Sequence, residues 1–91
     1  MDELIYESSH YFIKKCHKTG YFYFTQNILA PTLKDIGYEN KKFNNILIND
    51  FNGIKVEGYG EIYFENLEDI KNLINNWLEP KVLMYQLSKG D

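Results

Sequence analysis

One cysteine, two prolines and no arginine set the first limits on this sequence. The single cysteine, Cys16, excludes an intrachain disulfide. With His10 and His17 it makes a thin set of metal ligands, without the closely spaced pairs of a structural zinc site. Cys16 and His17 are adjacent, so on a helix they point in different directions. No metal or other cofactor is expected, and Cys16 reads as a small buried side chain on a helix. Serine occurs only at positions 8, 9 and 88, with no Ser/His/acid set, and no Gly-rich phosphate loop is present. Without a nucleophile and base, the chain is not expected to be an enzyme. No apolar run approaches the roughly 18 residues needed to cross a bilayer. The opening "MDELIYESSH" lacks the basic start and apolar centre of a signal peptide, so a cytoplasmic location is expected. The missing arginine, set beside ten asparagines, fits an A/T-rich coding bias of the kind found in mobile elements.

What remains is one small domain of 91 residues, 44% apolar and 16% aromatic, too rich in Tyr and Phe for disorder. A core of this size often leans on a partner subunit. The net charge of −3 counts against nucleic acid as a default partner. It is unevenly spread: residues 1–45 hold six Lys and five acids, residues 46–91 four Lys and eight acids.

Residues 2–18 read as a helix, with Ile5, Ser9, Phe12 and Cys16 on one face, acids at the start, lysines at the end and Thr19-Gly20 as the stop. "YFYF", 21–24, has strand composition. A helix from 26 to 36 would carry Pro31 in its interior at about 3 kcal/mol, so a short helix from about Ala30 to Ile36 is expected instead, with Gly37 as its stop. Residues 39–51 continue the four-residue apolar rhythm and favour a helix, although "NILIND" also alternates as a strand would. "GIKVEGYGEIYF" predicts a hairpin over 54–64, with Ile54, Val56, Ile62 and Phe64 on one face. A helix over 66–79 follows, capped by Asn66, striped by Leu67, Ile70, Leu73, Ile74, Trp77 and Leu78, and ended by Pro80. The tail "KVLMYQL" reads as a last strand or an arm on another subunit.

The order helix, strand, helix, helix, hairpin, helix matches an α+β winged-helix plan spanning 1–91. It comprises a helix-turn-helix at about 30–51, a two- to three-stranded antiparallel sheet and a C-terminal helix. Within "LKDIGYENKKFNNIL", Leu33, Ile36, Phe43 and Ile46 have the spacing of two helices crossing over the turn at Gly37. About 14 residues, Leu33 to Ile46, thus resemble the helix-turn-helix of Cro-type phage repressors and winged-helix regulators.

That resemblance implies sequence-specific binding of double-stranded DNA as a homodimer, by a transcriptional regulator or a plasmid or phage partition protein. Asn40, Lys41, Lys42, Asn44 and Asn45 would meet the groove, and Thr32, Lys34 and Lys55 the backbone. The tip "EGYGE" is acidic, unlike many wings. Dimerisation would double the phosphate contacts, with Leu73, Trp77, Met84 and Tyr85 at its centre. The competing reading is an α+β protein-binding domain, an inhibitor or immunity-type protein. It would turn its acidic half, with Tyr59, Tyr63 and Trp77, to a basic partner.

Overall fold

The computed structural model describes residues 1–89 as a small α+β fold. Three strands open it: β1 (Glu3–Glu7), β2 (Tyr11–Lys15) and β3 (Phe22–Gln26), an antiparallel meander in that order. The helix expected over 2–18 is therefore a hairpin. Its helical rhythm came from Ile5, Phe12 and Cys16, whose spacing also suits two strands folded back across Ser8–His10. The register slips between Leu4 and Tyr6, and this irregularity breaks the period-two signal that would have marked β1. On β2 the alternation is clear, since Tyr11 and Ile13 are buried while Phe12 and Lys14 are partly exposed. Cys16 is buried at the end of a strand rather than on a helix.

Between β3 and the next element the chain makes one helical turn, not the expected helix from 30 to 36 and so not the first half of a helix-turn-helix. Thr32 and Asp35 cap each other: the Thr32 N–H donates to Asp35 Oδ2 (3.0 Å) and the Asp35 N–H to Thr32 Oγ1 (3.2 Å). The turn then closes at once, with the Tyr38 N–H on the Leu33 carbonyl (2.9 Å) and Gly37 at φ 94°. Pro31 before it and Gly37 after it leave too few residues to repay helix nucleation.

Helix α1 (Asn40–Phe51) forms as expected and buries Phe43 and Leu47, with Ile46 half-buried. It ends on Asn52, left-handed at φ 61°, where the N–H groups of Asn52 and Gly53 both reach the Leu47 carbonyl. A Cβ on Gly53 would lie 2.6 Å from Ile62 Cγ2, so glycine lets the end of α1 sit against the strand that follows.

That strand pair is shorter than the expected hairpin over 54–64: β4 (Ile54–Lys55) and β5 (Ile62–Tyr63). Ile54 lies opposite Tyr63 and Lys55 opposite Ile62, so Ile54 and Ile62 do not share a face. The glycine-rich tip is too long and too loosely paired to hold the expected register.

The C-terminal helix runs well past Pro80. Helix α2 (Leu67–Leu73) passes through a π segment (Ile74–Leu78) into α3 (Glu79–Lys89). Pro80 has no N–H for a helical bond and would crowd the preceding turn. The wider π turn, closed by the Glu79 N–H on the Ile74 carbonyl, accommodates it, and Pro80 stands in the first turn of α3. "KVLMYQL" is accordingly helix. Ile70, Leu73, Ile74, Leu78 and Val82 pack beneath Ile13, Phe43, Leu47 and Phe64 as one core.

Glu79 fastens this helix to the first hairpin. Its carboxylate accepts from Ser8 Oγ (2.5 Å), the His10 N–H (2.8 Å) and His10 Nδ1 (2.7 Å). Burial pushes the Glu79 carboxyl up, but the hydrogen bonds from Ser8 and His10 outweigh it and hold the group below its ordinary value of 4.5. A carboxyl depressed in the folded state stabilises the fold above its unfolded pKa, and that stabilisation is lost as pH falls through the folded value. Glu79→Gln should therefore cost about 1–2 kcal/mol at neutral pH. The loss should shrink below about pH 4, as followed by urea unfolding across pH.

Candidate binding groove beside strand β3

The outer edge of β3 is only partly used. Phe22 and Phe64 exchange both backbone hydrogen bonds at 2.8 Å, an isolated antiparallel bridge. The N–H and C=O of Phe22 thus point away from β2. By strand alternation those of Phe24 and Gln26 do too, while the Asn27 N–H turns back to the His10 carbonyl (2.7 Å). Continued pairing would set Phe24 against Ile62, but β3 and β5 part after the single bridge and these two exchange no backbone bond.

The parting strands open a cleft of about 300 Å³, with Phe24, Phe43, Leu47 and Ile62 among its apolar lining and Asn40, Asn44 and Glu61 beside them. Phe24 meets Phe43 edge-to-face at 6.3 Å, which fixes this lining against α1. Leu33 and Asn40 also line a second, open cleft of about 750 Å³, between Gln26 and the turn carrying Thr32, Lys34 and Tyr38. Together the two clefts make a groove along the free part of the β3 edge.

The structure divides the residues singled out for DNA. Thr32, Lys34 and Asn40 line the wide cleft, and Asn40 and Asn44 the narrow one. Lys41, Lys42 and Asn45 are exposed on α1, at helical positions turned away from Phe43 and Leu47. Lys55 is exposed on β4, a separate strand pair. The first turn of α1 holds no acid and receives no side-chain cap. Lys42 and Lys81 both approach the Tyr38 ring, at 5.9 and 5.5 Å, and Lys81 lies 4.9 Å from the Trp77 ring. Lysine-rich character therefore gathers around the start of α1, where Asp35 and Glu39 are also exposed.

Two of the four expected dimer residues belong to the monomer's core. Leu73 is 0% exposed, and Trp77 is half-buried against Phe43, Tyr38 and Phe51. The apolar stripe that suggested an interface is filled by α1, an element whose docking side could not be read from periodicity. Met84 is exposed and Tyr85 half-buried on α3. Tyr63, proposed to face a basic partner, is also buried, whereas Tyr59 remains exposed.

Elsewhere the polar clusters are occupied with holding the chain together. Asp2 accepts from Tyr23 Oη, from the His17 N–H (3.0 Å) and lies 2.5 Å from His17 Nδ1. The Tyr23 bond and then those from His17 hold the Asp2 carboxyl far below its ordinary value. The Cys16 thiol is lowered by hydrogen bonding to the Thr19 side chain and backbone. Ser8 and His10 both bond to Glu79, so the acid stands between hydroxyl and imidazole and no Ser–His pair forms. No group of three His, Cys, Asp or Glu arranged for a metal ion occurs among the described residues, and no described helix is long and apolar enough to cross a membrane.

The groove is the feature that sequence reasoning missed. The composition of β3 did signal a strand, but which of its edges stays open depends on Phe64, some forty residues away. No protein-family model, curated protein or solved structure matches this chain.

Proposed function

We propose that the chain is a non-catalytic protein-binding domain that receives an extended segment of a partner on the open edge of β3. The observation that carries this reading is the outward backbone of Phe24 and Gln26, set beside an apolar cleft. Unpaired edge groups invite a further strand, and a neighbouring pocket gives that strand side-chain specificity. The protein-binding role anticipated from the sequence is kept, while its surface moves from the acidic half to this groove.

Gln26→Pro supplies the test. It deletes one outward N–H, and the N–H groups that serve the β2 ladder belong to Tyr23, Thr25 and Asn27. Peptides selected from a displayed random library against the protein should shift the amide resonances of Phe24, Gln26 and Ile62. Gln26→Pro should weaken them at least tenfold and Gln26→Ala far less, as read by fluorescence anisotropy. Peptides that bind equally well to Gln26→Pro would overturn the reading.

A second reading retains double-stranded DNA as the partner. In it α1 acts as the recognition helix and β4–β5 as the wing of a winged-helix regulator or partition protein. Its support is the first turn of α1, where Lys41 and Lys42 stand exposed at the positive end of the helix dipole, with Glu39 at the N-cap as the adjoining acid. Cations there are unfavourable until an anion arrives. If Lys34, Lys41, Lys42 and Lys81 each met a phosphate, log K should fall with log salt at a slope of about −3 to −4. Lys41→Glu with Lys42→Glu should abolish that binding, and a salt-independent signal would remove DNA from consideration.

A further inference from the structure

We infer that the groove has a competitor within the chain itself. Strand β5 pivots at Tyr63 and continues its pairing along β3, so that a partner's strand enters only while this flap is open. The competition rests on the strand-accepting reading above, whereas the closure does not.

The register of closure is already set. Phe22 and Phe64 exchange both backbone bonds, and one position further along the Tyr23 and Tyr63 rings still meet edge-to-face at 5.9 Å. An antiparallel ladder seeded there has one regular continuation: Phe24 opposite Ile62, Thr25 opposite Glu61 and Gln26 opposite Gly60. The backbone of Phe64 faces β3, so alternation turns that of Ile62 to β3 as well and that of Tyr63 to β4, where Tyr63 lies opposite Ile54. Among the described residues, no turn or side chain bonds to the N–H or C=O of Ile62 or Gly60.

The flap is lightly held, and space lies in its path. Residues 57–61 are all exposed, and the Tyr59 N–H on the Val56 carbonyl (3.1 Å) is the backbone bond that closes the tip. Phe24 and Ile62 stand on opposite walls of the narrow cleft, with Gly60 and Glu61 beside Ile62, and this is the volume that closure consumes. Directly opposed residues share a face, so closure packs the half-buried Phe24 ring against Ile62 and withdraws it from water. It also gives two unpaired edges to each other. A residue opposite Gln26 faces the wall of Leu33 and Asn40, where Gly60 brings no side chain to obstruct the approach. A partner that must wait for opening binds with its intrinsic Kd divided by the open fraction.

A disulfide across the predicted register tests this. Glu61 now borders the cleft on the Phe24 side, whereas ladder pairing would turn it to the other face, beside Thr25. Thr25→Cys with Glu61→Cys should therefore cross-link in a glutathione redox buffer, and peptide mapping separates that link from any made by Cys16. The reduced variant should keep the wild-type circular dichroism. In the oxidised form the Phe24 and Ile62 amides should exchange at least about tenfold more slowly. Peptides selected against the wild type should bind the oxidised form at least about tenfold more weakly than the reduced form, with binding restored by dithiothreitol. Two thiols that react with iodoacetamide yet form no 25–61 link would overturn the inference. So would a link that leaves the two amides unprotected, or an oxidised form that binds peptide as well as the reduced one. If no peptide can be selected, the strand-accepting reading falls and the competition with it, while cross-linking and amide exchange still decide the closure.

Discussion

Replacing Phe64 with alanine should cost about 3–5 kcal/mol of folding stability, a large share of what a chain this size possesses. Phe64 is 0% exposed and follows β5 directly. Its backbone makes the one bridge between β5 and β3, and its side chain sits in the core shared by the sheet and the C-terminal helix. Alanine keeps the backbone bonds but leaves a cavity that rigid neighbours on three elements fill only partly. Urea unfolding followed by circular dichroism should show a midpoint shift at unchanged slope. Phe64→Leu, which keeps most of the volume, should lose less than half as much. Truncation should also loosen the angle at which β3 and β5 part, so the Phe24 and Ile62 amides should exchange faster than in wild type.

Phe64 also illustrates what the sequence could convey. Its alternating neighbours mark it as strand and inward-facing; the structure buries it as expected but places it just past β5, in a single bridge, with Tyr63 buried beside it. Nothing local says that it meets Phe22, because pairing across forty residues is settled by the whole core. The same division holds along the chain. Residues 40–51 and 67–78 declared themselves as helices through long apolar stripes, and the strand over 22–26 through its aromatics. Residues 3–15 did not. A register slip near Leu4–Tyr6 and a turn made of Ser and His rather than Gly or Asn hid a hairpin beneath a helical spacing. Pro80 misled in the opposite sense, because its effect depends on the π segment before it, a local choice made by packing.

The site was legible only in pieces. Asn40, Asn44, Thr32 and Lys34 were singled out for their chemistry, and the structure does gather them along one groove. They were expected on two crossed helices, however, and the first of those is a single capped turn. Side-chain type can be read from a sequence, whereas a groove is defined by what fails to pair beside it. That failure belongs to β3 and β5, which sequence reasoning placed in the fold without their relative angle.

Trp77→Ala should also lose about 3 kcal/mol, near the lower end for a large aromatic because Trp77 keeps one side in water. The indole stacks on Phe43 at 5.9 Å, touches Tyr38 at 5.1 Å and Phe51 at 6.2 Å, and carries Lys81 over its face at 4.9 Å. It therefore joins α1, the capped turn before it and the π segment. Removing it uncouples three elements at once. Trp77→Phe should recover more than half of the loss, since it keeps a ring against Phe43. Protein concentration separates this role from the interface role suggested by the apolar stripe. A residue at a dimer interface alters stability in proportion to how much dimer is present. A core residue shifts the urea midpoint equally at about 2 and 200 µM, because the contact it makes is within one chain. Equal shifts at both concentrations place Trp77 in the monomer, and a shift confined to the higher one would return it to an interface.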